Sequence, residues 1–169
     1  AKICLSYLTQ TKDHFPEEYR SFIGNRLYGC DTCQQVCPFN RGIDFHIHEE
    51  FEPKPEDVKP LLRPLLQITN REFRERFGYM AGAWRGKKPI QRNAILAIAH
   101  FRDESYLEEL KTLILKDPRP VIRGTAAYAI GRIGTPEAAT ILNAALKREK
   151  DEVVLREIHR ALENLNNEL

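Results

Sequence analysis

The feature that most constrains the fold is an internal repeat in the second half of the chain. Arg92-Asn93-Ala94-Ile95-Leu96-Ala97-Ile98-Ala99 returns, 31 positions later, as Arg123-Gly124-Thr125-Ala126-Ala127-Tyr128-Ala129-Ile130. Val121-Ile122-Arg123 returns, 33 positions later, as Val154-Leu155-Arg156. Within each copy the apolar residues keep the three-to-four spacing of a helix stripe. A period of about 20–50 residues marks units that bury their apolar faces only by stacking on one another. Between the copies the pattern predicts second helices over about 104–116 and 136–148. The joints are Asp117-Pro118-Arg119-Pro120, Gly134-Thr135-Pro136 and Lys150-Asp151. Thr135 is a good N-cap and Pro136 suits a first helical position. Small Ala residues let paired helices approach, while Ile and Leu fill the seam. The expectation is an array of helical hairpins from about Pro89, two full units and a terminal helix. An ordinary helical bundle is the alternative.

Ahead of the repeats the chain is less regular. Residues 10–29 carry a short helical pattern with Phe15, Tyr19, Phe22 and Ile23 at helical spacing and Pro16 at the first turn. Residues 46–64 read as a linker, because Pro53, Pro55, Pro60 and Pro64 stop a long helix. Glu49, Glu50, Glu52, Glu56 and Asp57 make it acidic. Thr69 followed by Glu72 is a capping-box signature, predicting a helix through Phe73 and Phe77 that ends near Gly78. The domain reading is a cysteine module at 1–45, a Pro-rich linker with short helices at 46–70, and a helical repeat domain at 71–169.

All four cysteines lie in the first module. Cys30-x2-Cys33-x3-Cys37-Pro38, with Cys4 upstream, keeps the end of the bacterial iron–sulfur run Cys-x2-Cys-x2-Cys-x3-Cys-Pro. Cys4 can replace the in-line cysteine that the run lacks. In the two-cluster version the last cysteine ligates the other cluster. On that pattern Cys4, Cys30 and Cys33 share one cluster and Cys37 serves a second. Structural zinc is a competing use of such thiols, but Cys4 has no partner two to four residues away, and His46 and His48 are spaced by one residue. A disulfide framework is the third option. It sits poorly with a long helical stretch that carries no cysteine.

The chain starts Ala1-Lys2-Ile3-Cys4 and holds one Met, Met80, so it reads as the C-terminal part of a longer protein. Charged residues make up 30% and hydrophobic ones 42% of its 169 residues, a foldable composition. The net charge of +2 is too small to imply a nucleic-acid partner by itself. No apolar run approaches the roughly 18 residues of a membrane span, and no secretory signal opens the chain. Charge does cluster locally. Residues 71–92 hold Arg71, Arg74, Arg76, Arg85, Lys87, Lys88 and Arg92 against Glu72 and Glu75, with Tyr79 and Trp84 interleaved. Gly78, Gly82 and Gly86 suggest a flexible loop there. Cations beside aromatic faces suit a phosphate backbone and unstacked bases. A solvated charge run with Trp84 as a packing anchor is the plainer reading. Arg119, Arg123, Arg132 and Arg156 recur on the repeats, where packing between units is the favoured role for Arg123 and Arg156.

Two resemblances sharpen this reading. The repeats resemble the HEAT-like family, with a shorter unit. Cys4-Leu5-Ser6-Tyr7-Leu8-Thr9 and Gly29-Cys30-Asp31-Thr32-Cys33-Gln34-Gln35-Val36-Cys37-Pro38-Phe39-Asn40 resemble the C-terminal half of the epoxyqueuosine reductase family. The likeness runs through Arg92-Asn93 into the repeats. Phe39 stands where the family commonly has Trp. The resemblance implies a mainly α fold, a ferredoxin-like iron–sulfur module fragment followed by a HEAT-like helical repeat domain. It implies reduction of epoxyqueuosine to queuosine in a tRNA anticodon loop, with cobalamin and two 4Fe–4S clusters. The cobalamin domain and the catalytic acid are expected upstream, so no catalytic residue is assigned. By the resemblance Cys4, Cys30 and Cys33 ligate the cluster nearer cobalamin, and Cys37 the distal one. Ser6, Tyr7, Asp31 and Thr32 would lie near the corrin edge; for Asp31 and Thr32 the plainer role is capping the cluster loop. Arg85, Lys87, Lys88, Arg92 and Asn93 are the expected RNA contacts. The expected partners are tRNA and an electron donor, for a cytoplasmic monomer. Two alternatives remain: an electron-transfer subunit for another corrinoid enzyme, or a zinc-stabilised interaction module.

Overall fold

The computed structural model describes residues 3–43, 48, 50 and 52–167. Among them there are helices and turns and no strand. The helices are α1 (Leu5–Gln10), α2 (Arg20–Ile23), α3 (Thr32–Gln35), α4 (Pro55–Val58), α5 (Leu62–Gln67), α6 (Asn70–Phe77), α7 (Lys87–Phe101), α8 (Leu107–Lys116), α9 (Pro120–Ile133), α10 (Pro136–Leu146) and α11 (Glu152–Asn167).

The repeat sets the architecture. Helices α7, α9 and α11 pack side by side as one layer, and α8 and α10 form the second layer against α9. Each start is encoded locally. Pro120 and Pro136 occupy first-turn positions, and the Thr135 hydroxyl accepts from the Ala138 N–H. One end is encoded too: α9 stops at Gly134, which takes the left-handed conformation (φ 80°) that glycine adopts without strain. At Gly131 a Cβ would fall 2.6 Å from that of Ala161, so α9 and α11 meet almost backbone to backbone.

Helix α7 is buried along its whole run from Pro89 to Ala99, unlike a surface helix with one wet face. It is the spine of the molecule, surrounded by α5 and α9 and by α1 and α2 of the cysteine module. Leu65, Leu66 and Ile68, the apolar residues that follow the prolines, belong to the main core with Phe73 and Phe77. One reading of the N-terminal half changes. The pattern over residues 10–29 forms only a 3-10 turn at Glu17–Tyr19 and the single turn of α2. Phe15 and Ile23 are buried and Phe22 is exposed, since Pro16 and Gly24 bracket too short a piece for a continuous stripe. The capping box forms as read: Glu72 N–H donates to the Thr69 hydroxyl, and Thr69 N–H to the Glu72 carboxylate. No helix among the described residues is long and apolar enough to cross a membrane.

Candidate metal centre and its frame

The four cysteines sit on three short segments. Cys4 is the N-cap of α1, Cys30 and Cys33 flank the start of α3, and Cys37 is the N-cap of the 3-10 turn Pro38–Asn40. All four thiols are free and at least partly exposed, so none is in a disulfide. Among the described residues no three His, Cys, Asp or Glu side chains form a group that holds one metal ion. A tetrahedral zinc site, with sulfurs about 2.3 Å from the ion, is therefore not preformed. His46 lies outside the described residues. The donor chemistry is soft and all sulfur, which fits an iron–sulfur group. Cys30 is primed for ligation. The Thr32 hydroxyl lies 3.4 Å from its sulfur; that hydroxyl and the Thr32 N–H, with Arg26 nearby, hold the thiol below its ordinary pKa. The thiolate is the ligating form.

What holds these segments together is a pair of residues on α7. Arg92 is fully buried. Its Nη1 donates to the carbonyl oxygens of Thr11 (2.9 Å) and Asp13 (2.6 Å), and its Nη2 to that of Leu8 (2.8 Å). Nε and Nη2 both reach Oδ1 of Asn93, and the guanidinium lies over the Phe15 ring. Asn93, also fully buried, donates through Nδ2 to the carbonyls of Thr9 (2.8 Å) and Leu27 (2.7 Å). The Gly29 N–H donates to the Thr9 hydroxyl (2.9 Å), and the Leu8 N–H to the Cys4 carbonyl (3.0 Å). The arm behind Cys4 and the arm before Cys30 are thus bound to each other and to α7. Burial pushes the Arg92 pKa down to about 10, with Asp13 opposing, yet the guanidinium stays charged at neutral pH. Its charge is met by carbonyl dipoles rather than by a carboxylate.

This overturns the expectation that Arg92 and Asn93 touch RNA. They expose no surface, and backbone oxygens together with the Asn93 Oδ1 take up their donors. A sequence signal for this existed: both precede the unbroken apolar run Ala94–Ala99, which leaves no polar face for them to share.

The remaining expected residues fall into two groups. Near the cysteines, Tyr7 and Asp31 are exposed. The Asp31 side chain makes no capping hydrogen bond, so the cap role read for it is not used. Thr32 is instead bonded to Arg26 and Cys30, and Ser6 offers its carbonyl to Thr9 and Gln10. On the basic stretch, Arg85, Lys87 and Lys88 are half-buried. Lys87 is committed inward, donating to the Ile68 carbonyl at 2.6 Å, and burial lowers its pKa. The loop is no loose tether: it forms a 3-10 turn at Ala83–Arg85, and Gly82 is buried against Tyr28. Arg123 packs between units as read, gripping Glu149 with both ends of its fork at 2.7 and 2.9 Å.

Comparison with known proteins places these features. Residues 1–40 match the family model of a 4Fe–4S double cluster binding domain, and residues 86–163 that of HEAT repeats. Over 165 residues the chain is 64% identical to epoxyqueuosine reductase of Bacillus subtilis, covering 98% of this chain and 43% of that protein. The chain belongs to the epoxyqueuosine reductase family. It is 59% identical over 157 residues to the Listeria monocytogenes epoxyqueuosine reductase, covering 93% of this chain and 41% of that protein. It also matches a crystal structure of epoxyqueuosine reductase with a tRNA-Tyr epoxyqueuosine-modified tRNA stem loop. That match has a TM-score of 0.92 at 64% identity, over 96% of this chain and 44% of that one. The chain thus spans less than half the length of the reductases it matches.

Proposed function

We propose that this chain is the cluster-bearing, RNA-facing part of an enzyme that reduces epoxyqueuosine to queuosine in the anticodon loop of tRNA. The observation that carries this reading is a set of four free thiols among the described residues, on arms braced by buried Arg92 and Asn93 against a HEAT-like array. In this reading Cys4, Cys30 and Cys33 hold one 4Fe–4S cluster, and Cys37 gives a ligand to a second. When bound, such clusters supply single electrons, and cobalamin supplies the centre that reduces the epoxide. The chain's own residues do the rest. The Arg92–Asn93 brace keeps the Cys4 and Cys30 arms in register, and Thr32 with Arg26 lowers the pKa of the Cys30 thiol. Ser6, Tyr7, Asp31 and Thr32, the neighbours of Cys4, Cys30 and Cys33 in the chain, would lie near the corrin edge. Arg85 and Lys88 present cations to the RNA backbone. The enzyme works in the cytoplasm as a monomer and takes its electrons from a separate donor.

Metal analysis after anaerobic purification tests the cluster assignment. The expected result is iron and acid-labile sulfide with absorbance near 400 nm, reduced in Cys30→Ser. Zinc without sulfide would replace this reading by a zinc-stabilised interaction module.

A further inference from the structure

Trp84 is the only tryptophan in the chain, and it stands 70% exposed. A ring of that size is normally largely buried, so an open face calls for an occupant. Its frame is rigid. The 3-10 turn Ala83–Arg85 that carries it lies between two glycines of special geometry. Gly86 has φ 79°, and Gly82 is so close to Tyr28 that a Cβ would fall 2.2 Å from that side chain. The turn is therefore seated on the cysteine module, beside a residue two positions before Cys30. The Arg85 guanidinium covers one face of the indole at 4.0 Å from the ring centre. Its Nε is buried without a hydrogen-bond partner among the described residues. Half-buried Lys88 follows on the first turn of α7. The other exposed aromatic nearby differs: Tyr79 donates its hydroxyl to the Asp57 carboxylate at 2.7 Å, which sets a negative charge at its edge.

We propose that Trp84 is a stacking platform for an unpaired base of a single-stranded RNA loop, with Arg85 and Lys88 holding the adjoining phosphates. This rests on the RNA reading above and adds the residue that meets a base. A duplex keeps its bases stacked inside, whereas a loop presents free faces. Every base has such a face, so a platform of this kind is tolerant of sequence and works alongside cations. Arg85 clamps the indole from one side and leaves the other open. A phosphate-only site would gain nothing from the exposed ring.

Two RNA probes test this, an anticodon-type stem-loop and a fully paired duplex with the same number of phosphates. Trp84→Ala weakens binding of the stem-loop about fivefold or more and leaves duplex binding unchanged. Trp84→Phe restores most of the affinity, because a smaller ring still stacks. The fluorescence difference between the parent and Trp84→Phe shows quenching when the stem-loop is added. Equal losses on both RNAs, or no loss on the stem-loop, overturn the platform while leaving the RNA reading intact. If the parent binds neither RNA, the RNA reading falls and the platform with it.

Discussion

At the scale of single residues, Arg92 does the most for this fold. It sits where a sequence reader places an RNA contact, at the end of a cationic stretch, yet no water reaches it. Its fork takes the carbonyl oxygens of Leu8, Thr11 and Asp13 and so ties the Cys4 arm to α7. Hydrogen bonds to a charged group are each worth about 1.5–3 kcal/mol, and an orphaned buried acceptor costs about as much. Arg92→Ala should therefore destabilise the protein by at least about 3 kcal/mol in chemical denaturation. A loss below about 1 kcal/mol would put the side chain in solvent and restore the RNA assignment. The misreading has a physical cause. Charge and neighbours in sequence say what a side chain can bind, but not whether carbonyls or phosphates reach it first. The cysteines were legible for the opposite reason. The spacing of Cys30, Cys33 and Cys37 and the Pro38 stop are local, so the run stands out in the sequence by itself.

At the scale of elements, the repeat was readable because some of its helices carry local start or stop signals. Thr135-Pro136, Gly134 and the Thr69–Glu72 box form as expected. The segment before Phe73 was legible as well: Leu65, Leu66 and Ile68 stand out as apolar residues after the prolines, and they insert into the shared core. The joint between α10 and α11 makes a sharper prediction. Glu149 accepts both arms of Arg123 and the N–H groups of Lys150 and Asp151, which hold its carboxyl down to about 2 from an ordinary 4.5. In the unfolded chain the group titrates near its ordinary value. Its contribution is thus complete above pH 4.5 and lost as pH falls toward about 2. Thermal unfolding followed across that window should show a falling Tm. Glu149→Gln should lower the Tm at neutral pH and flatten the acid limb. An unchanged acid limb in the variant would mean that the Arg123 pairing contributes nothing to stability.

At the scale of the whole molecule, the cysteine module and the helical array form one body. Arg20 grips Glu157 of α11 with two hydrogen bonds of 2.7 Å, both side chains nearly buried, while the guanidinium stacks on Tyr128 of α9. Arg160 and Glu17 add an outer ion pair, and α7 is held from both sides. None of these long-range pairings was visible in the sequence, where the partners stand more than a hundred residues apart. In the proposed reading, the array that would meet a stem-loop is joined directly to the arms that would carry cluster ligands. In that reading RNA binding and electron delivery share one frame. The most direct test of that claim is conversion of epoxyqueuosine to queuosine in a tRNA stem-loop, read by mass spectrometry of the digested RNA. It is made with the full-length protein that carries this chain and with its Cys30→Ser variant, under a low-potential reductant. The account predicts conversion by the parent and none by the variant, with stem-loop affinity kept. Conversion that persists without Cys30, or a parent that binds the stem-loop and leaves epoxyqueuosine unchanged, would contradict it.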